Sequence, residues 1–165
     1  MLFENHYERT SEVMKELFGA IYFKRPLTVI IYLALGVIAA ISVAEMIGSG
    51  VFHLGGWVYL VIFALMQLVM YNNSVKNAIA KDREKFGGDV LKVHTAVTEE
   101  GIQCTYGEKT VDPIPMSQIK KVYKTKNLIL LHTDRRLLMI FHKSNFTVGT
   151  EEEFVQYLRE QGLKV

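Results

Sequence analysis

The sequence predicts a membrane α-helical hairpin followed by an α+β domain, a β-roll or partly open barrel of about six strands closed by a C-terminal helix. Three observations predict it. Two long apolar blocks occupy residues 27–47 and 54–71. Lysine and arginine gather on one side of both blocks. From Val90 onward the apolar period changes from helical to alternating, until a capped amphipathic segment ends the chain. The expected division is an N-terminal amphipathic helix over 1–26, the hairpin over 27–86 and the β-rich domain over 87–165.

Val13, Leu17 and Ile21, with Met14, Phe18 and Tyr22 beside them, give Tyr7 to Lys24 a helical period. Acidic residues near its start and basic ones near its end suit a helix dipole. This helix would lie on the inner membrane surface or pack on the C-terminal domain. Pro26 predicts a break before the first span.

The first block, Leu27 to Ile47, carries only one charge, Glu45. Its 21 residues make about 31 Å of helix, close to the ~30 Å thickness of a bilayer core. The second, Leu54 to Tyr71, is uncharged, and its 18 residues span roughly 27 Å. Buried helices of a soluble core are the alternative, but uncharged runs this long are rare there. Ser42-Val43-Ala44 has the small-x-small form of a signal cleavage site. The apolar core around it, however, is longer than the ~7–15 residues of a signal and begins only after residue 26.

The linker Gly48 to His53 holds no Lys or Arg, whereas Lys15, Lys24 and Arg25 precede the first span and Lys76, Lys81, Arg83 and Lys85 follow the second. The positive-inside rule then puts both chain ends in the cytoplasm. Trp57 and Tyr59 fall at the outer boundary, Tyr22, Phe23 and Tyr71 near the inner one, as aromatic belts do. Gly36, Ala40 and Ala44 recur every four residues, a spacing that lets helices approach closely in lipid. They are expected to meet the second helix at Ala64; homodimerisation through the same stripe is the rival reading. Glu45 reads as snorkelling to the outer interface rather than as an ion site. Gln67 reads as a helix–helix hydrogen bond, expected at the depth of Val37.

Val75, Ala78, Ile79 and Phe86 carry an apolar stripe past the membrane to a glycine stop at Gly87-Gly88. Strands are then expected over Leu91–Thr98, Ile102–Tyr106 and Lys109–Asp112, with turns at Glu99-Glu100-Gly101 and Gly107-Glu108. Pro113 and Pro115 mark an edge or bend. Further strands are expected at Gln118–Thr125, Leu128–Thr133 and Arg136–His142, joined by Lys126-Asn127 and Asp134-Arg135. Thr150 and Glu153 have the spacing of a capping box before the apolar stripe Phe154, Tyr157 and Leu158.

Chemistry-bearing motifs are absent from the sequence. There is no P-loop, no Cys-x-x-Cys and no His-Glu-x-x-His. The predicted catalytic, cofactor and metal sets are therefore empty. His94, His132 and His142 read as surface strand residues. The single cysteine, Cys104, alternates with Ile102 and Tyr106 and reads as a small core residue. A net charge of +2, from 19 basic and 17 acidic residues, argues against a nucleic-acid binder. Lys120, Lys121, Lys124 and Lys126 form a local basic run. It is either a solvated face or a contact for anionic lipid, where each lysine adds roughly 1 kcal/mol.

The order of elements, with Glu99-Glu100-Gly101-Ile102, Ile114-Pro115-Met116-Ser117-Gln118-Ile119-Lys120-Lys121-Val122, Thr125-Lys126 and the apolar hairpin Leu128–Phe141, carries a resemblance. So do Lys143, Phe146-Thr147, Gly149, Glu152-Glu153-Phe154, Phe3-Glu4-Asn5 and Tyr22-Phe23-Lys24-Arg25. Over nearly its whole length the chain resembles the YcxB-like bacterial membrane proteins, whose C-terminal domain is similar to a pleckstrin-homology fold. The resemblance implies a multi-pass protein of the bacterial cell membrane with a cytoplasmic PH-like domain. Two departures stand out. A pleckstrin-homology barrel has seven strands against about six counted, and the first strand turn is acidic at Glu99-Glu100 where lipid-binding members are basic. Fold likeness alone therefore does not imply headgroup binding. The expected function is a non-enzymatic, membrane-anchored scaffold that offers its PH-like domain to a protein partner or anionic lipid. The alternative is an accessory subunit of a transport or signalling complex, joined through Gly36, Ala40 and Ala44; the third is a membrane-bound enzyme.

Overall fold

The structure is a computed structural model that describes residues 1–23, 26–50, 55–87, 90–134 and 137–165. The expected features at Lys24, Arg25, the linker residues 51–54, Gly88, Arg135 and Arg136 lie outside the described residues. The chain divides into two compact units, residues 17–78 and residues 1–16 with 79–165.

The helical unit is built on α2 (Pro26–Ser49) and most of α3 (Gly55–Phe86), preceded by the second half of α1 (Ser11–Phe23). Two helices are long and apolar enough to cross a membrane, Pro26–Ser49 and Trp57–Phe86, with mean hydropathy 2.6 and 1.5. Only 11% and 6% of their most apolar windows is buried within the chain. Leu33, Val37, Ile41, Ile62, Leu65 and Val69 stand exposed. Tyr32 meets Phe63 edge to face at 5.1 Å, Phe23 meets Tyr71 at 5.6 Å, and the hydroxyls of Tyr22 and Ser74 hydrogen-bond at 2.8 Å.

Within the chain these contacts fall beside the expected stripe. Ala39, 3% exposed, is the buried small residue of α2, while Ala40 and Ala44 are exposed and Gly36 and Ala64 are half-buried. The reason is geometric. A four-residue step turns a helix about 40° beyond a full circle, so the stripe Gly36, Ala40, Ala44 winds off the contact face. The face that stays on line runs through Thr28, Tyr32, Leu35, Ala39 and Met46. The Tyr32–Phe63 pair also sets Ala64 near the depth of Tyr32, not of Ala40, and Gln67 near that of Thr28, not of Val37.

Among the described residues the β unit holds eight strands: β1 (Phe3–Glu8), β2 (Lys92–Thr98), β3 (Gly101–Tyr106), β4 (Lys109–Thr110), β5 (Ile119–Lys124), β6 (Leu128–Thr133), β7 (Leu138–His142) and β8 (Phe146–Val148). They form two antiparallel sheets, β4-β3-β2-β1-β8 and β5-β6-β7, and no closed barrel is detected among the described residues. The expected count of six omits β1 and β8. The expected N-terminal helix from Tyr7 begins only at Ser11, because Tyr7 and Glu8 pair with Val93 and Lys92 on β2.

Between the sheets lies a core of Phe3, Val97, Ile102, Ile129, Leu131, Phe141 and neighbours, with Phe154 and Leu158 from α4 (Glu151–Glu160). Each fully buried ring or aliphatic chain contributes roughly 1.5–3 kcal/mol. Helix α4 begins with the expected capping box: Thr150 accepts from the Glu153 amide and the Glu153 carboxylate accepts from the Thr150 amide. Gly101, at φ +140°, is required where β3 passes the bridge between Ile102 and Ile114, since a Cβ there would collide with the Ile114 carbonyl. The bridge sits between Pro113 and Pro115, as the expected bend allows.

Candidate functional site

Strand β1 alternates Phe3, Asn5 and Tyr7 into the core with Glu4, His6 and Glu8 on the other face. Its register with β2 places His6 directly across from His94. The two imidazoles stack with centroids 4.2 Å apart and planes 12° from parallel. His94 Nε2 lies 2.7 Å from Glu4 Oε1, and His6 Nε2 lies 3.4 Å from the same oxygen. The Thr147 hydroxyl, on β8, donates to the other oxygen, Oε2, at 2.9 Å. The Thr147 hydrogen bond, outweighing partial desolvation with help from His94 and His6, holds the Glu4 carboxyl below the usual carboxylate range.

This cluster borders a cleft of about 560 Å³ lined by His6, His94, Glu8, Lys92, Glu16 and His142 among others. Glu16, on α1, closes one side. Its carboxylate accepts from the Asn127 amide at 2.7 Å, from Asn127 Nδ2 at 2.9 Å and from the Thr125 hydroxyl. Burial pushes the Glu16 carboxyl up, but these bonds outweigh it and leave it below the usual range. At the far side, the Asn5 amide bonds both backbone groups of His142, at 2.8 and 3.0 Å, and so ties β1 to β7.

Of the histidines weighed from the sequence, His94 joins the cleft cluster and His142 lines the cleft. His132 pairs with Leu138 and His142 with Leu128, at opposite ends of the β6–β7 ladder. Lys120, Lys121, Lys124 and Lys126 are all exposed, the first three on β5, an edge of the three-stranded sheet. Tyr123 stands exposed among them. A bulge between Ile119 and Lys121 interrupts the ladder there, a common way of blunting an edge. Cys104 is buried in the core, and desolvation pushes its thiol up, away from reactivity.

Sequence reasoning missed Glu4 and His6 because their partners lie some ninety residues away on β2 and well beyond it on β8. Only the alternation of Phe3, Asn5 and Tyr7 could have signalled β1. Scans against protein-family models, curated proteins and solved structures found no match to this chain.

Proposed function

We propose that this protein is a non-enzymatic, membrane-anchored binding module of the YcxB-like kind. In this reading α2 and α3 cross the bacterial cell membrane, both chain ends are cytoplasmic, and the β unit is a PH-like domain held at the inner leaflet. Its lysine-bearing edge, Lys120, Lys121, Lys124 and Lys126, engages an anionic surface. The single observation that carries the reading is the pairing of two largely exposed apolar helices with a compact β unit whose basic edge is free of its own sheet partners. Coulombic attraction to an anionic leaflet adds per lysine and is screened by salt.

Lysine labelling of the full chain in lipid nanodiscs tests this reading. Protection of Lys120–Lys126 in anionic but not zwitterionic discs, lost at high salt, supports a lipid surface. Indifference to lipid charge, together with protein adducts from a photo-crosslinker at Tyr123 in cells, supports an acidic protein partner. Labelling that neither lipid nor partner alters contradicts the module.

A second reading is favoured by one observation: Ala40 and Ala44 remain exposed, and a Cβ added at Gly36 would meet nothing within 4 Å. The close approach that small residues permit is thus unused by the hairpin itself. It suits a further helix, from a second copy or from a larger membrane complex.

A further inference from the structure

We propose that Glu4, His6 and His94 form a binding site for a divalent first-row transition metal ion of the Zn²⁺ class. Their three ligand atoms lie within 4.8 Å of one another. Two imidazoles and one carboxylate are the donor set of many open zinc and non-haem iron sites. Metal–ligand bonds of about 2.0–2.2 Å set neighbouring donors about 3–3.5 Å apart, so the two imidazoles, stacked 12° from parallel, must swing out of their stack for both Nε2 atoms to face one ion. Hydrogen bonding alone asks one oxygen, Glu4 Oε1, to serve both rings, at 2.7 and 3.4 Å. One cation would satisfy all three donors together.

The surroundings support this assignment. Thr147 binds Oε2 and leaves Oε1 turned to the imidazoles, the orienting role that outer partners play around metal ligands. The ligands sit on paired strands and not on a loop, which fixes their spacing. Glu4 and His94 are partly buried, while His6 is open enough to admit an ion. Both histidines line the cleft, so a bound ion would keep a coordination position toward that space. The imidazole pair selects against Mg²⁺ and Ca²⁺, which prefer all-oxygen sites.

The test is calorimetric titration of the untagged, metal-free full chain in detergent with zinc chloride, alongside cobalt absorption spectra. One equivalent should bind, with tetrahedral-type cobalt bands. His6→Ala and His94→Ala should each weaken binding by about tenfold or more, and so should Glu4→Gln, which still accepts from Thr147. His132→Ala should bind as wild type. If an alanine variant loses its native circular dichroism, His94→Phe, which keeps a ring for His6 to stack on, replaces it. No stoichiometric uptake at millimolar zinc, or uptake unchanged in the folded histidine variants, would overturn the site.

Discussion

Asn5 is fully buried, yet its side chain satisfies the amide and carbonyl of His142 as a neighbouring strand would. Asn5→Leu keeps the branched outline but adds bulk and removes both bonds, leaving the His142 amide unpaired while its carbonyl keeps only the Asn145 amide. Chemical denaturation should show a loss of about 2–4 kcal/mol. Glu16 gives a pH signature. Its folded-state carboxyl titrates below the unfolded value, so its contribution is present above the ordinary carboxylate pKa of about 4.3 and disappears as pH falls through the folded value. Thermal melts of wild type and Glu16→Gln should therefore differ at neutral pH and converge as pH falls below the ordinary carboxylate range. A constant gap across that range would refute the role given to Glu16. Cys104, buried and raised by desolvation, should react with a thiol reagent only once the β unit unfolds.

At the scale of elements, the helix contact decides between two neighbouring alanines. Ala39→Leu overfills a position that is 3% exposed, while Ala40→Leu adds a side chain to an exposed face. Overpacking costs typically about 1–3 kcal/mol. The first variant should lower the melting temperature in detergent, and the second should leave it unchanged unless a further helix covers that face. The strands from Lys92 to His142, the Gly107-Glu108 turn and the Thr150 cap were legible, because alternation and capping are local signals. Strand β1 was hidden because its inward positions include a polar residue, Asn5, and its outward ones two acids and a histidine. Strand β8 is three residues long, too short to show a period. The metal-ligating cluster drew on partners distant in sequence, and no spacing rule reaches across a sheet.

Across the whole molecule, hydropathy alone made the two apolar helices plain, and sheet closure could not be read the same way. Strand number is a local property, whereas closure depends on which edges pair. The expected roll proves to be two sheets with a helix over their core. Residues 1–16 belong with the β unit, so the chain leaves that unit, forms the hairpin and returns to it. Under the proposed reading, in which α2 and α3 cross a membrane, that route puts both ends of the hairpin on one side. Thiol labelling with an impermeant maleimide on intact cells measures it, in a Cys104→Ser background with Ile47→Cys near the end of α2 or Glu160→Cys on α4. The prediction is that the protein resists alkaline extraction, that Ile47→Cys labels from outside, and that Glu160→Cys labels only after the cells are opened. Release of the protein by alkaline washing, or labelling of Glu160→Cys on sealed cells, would contradict it.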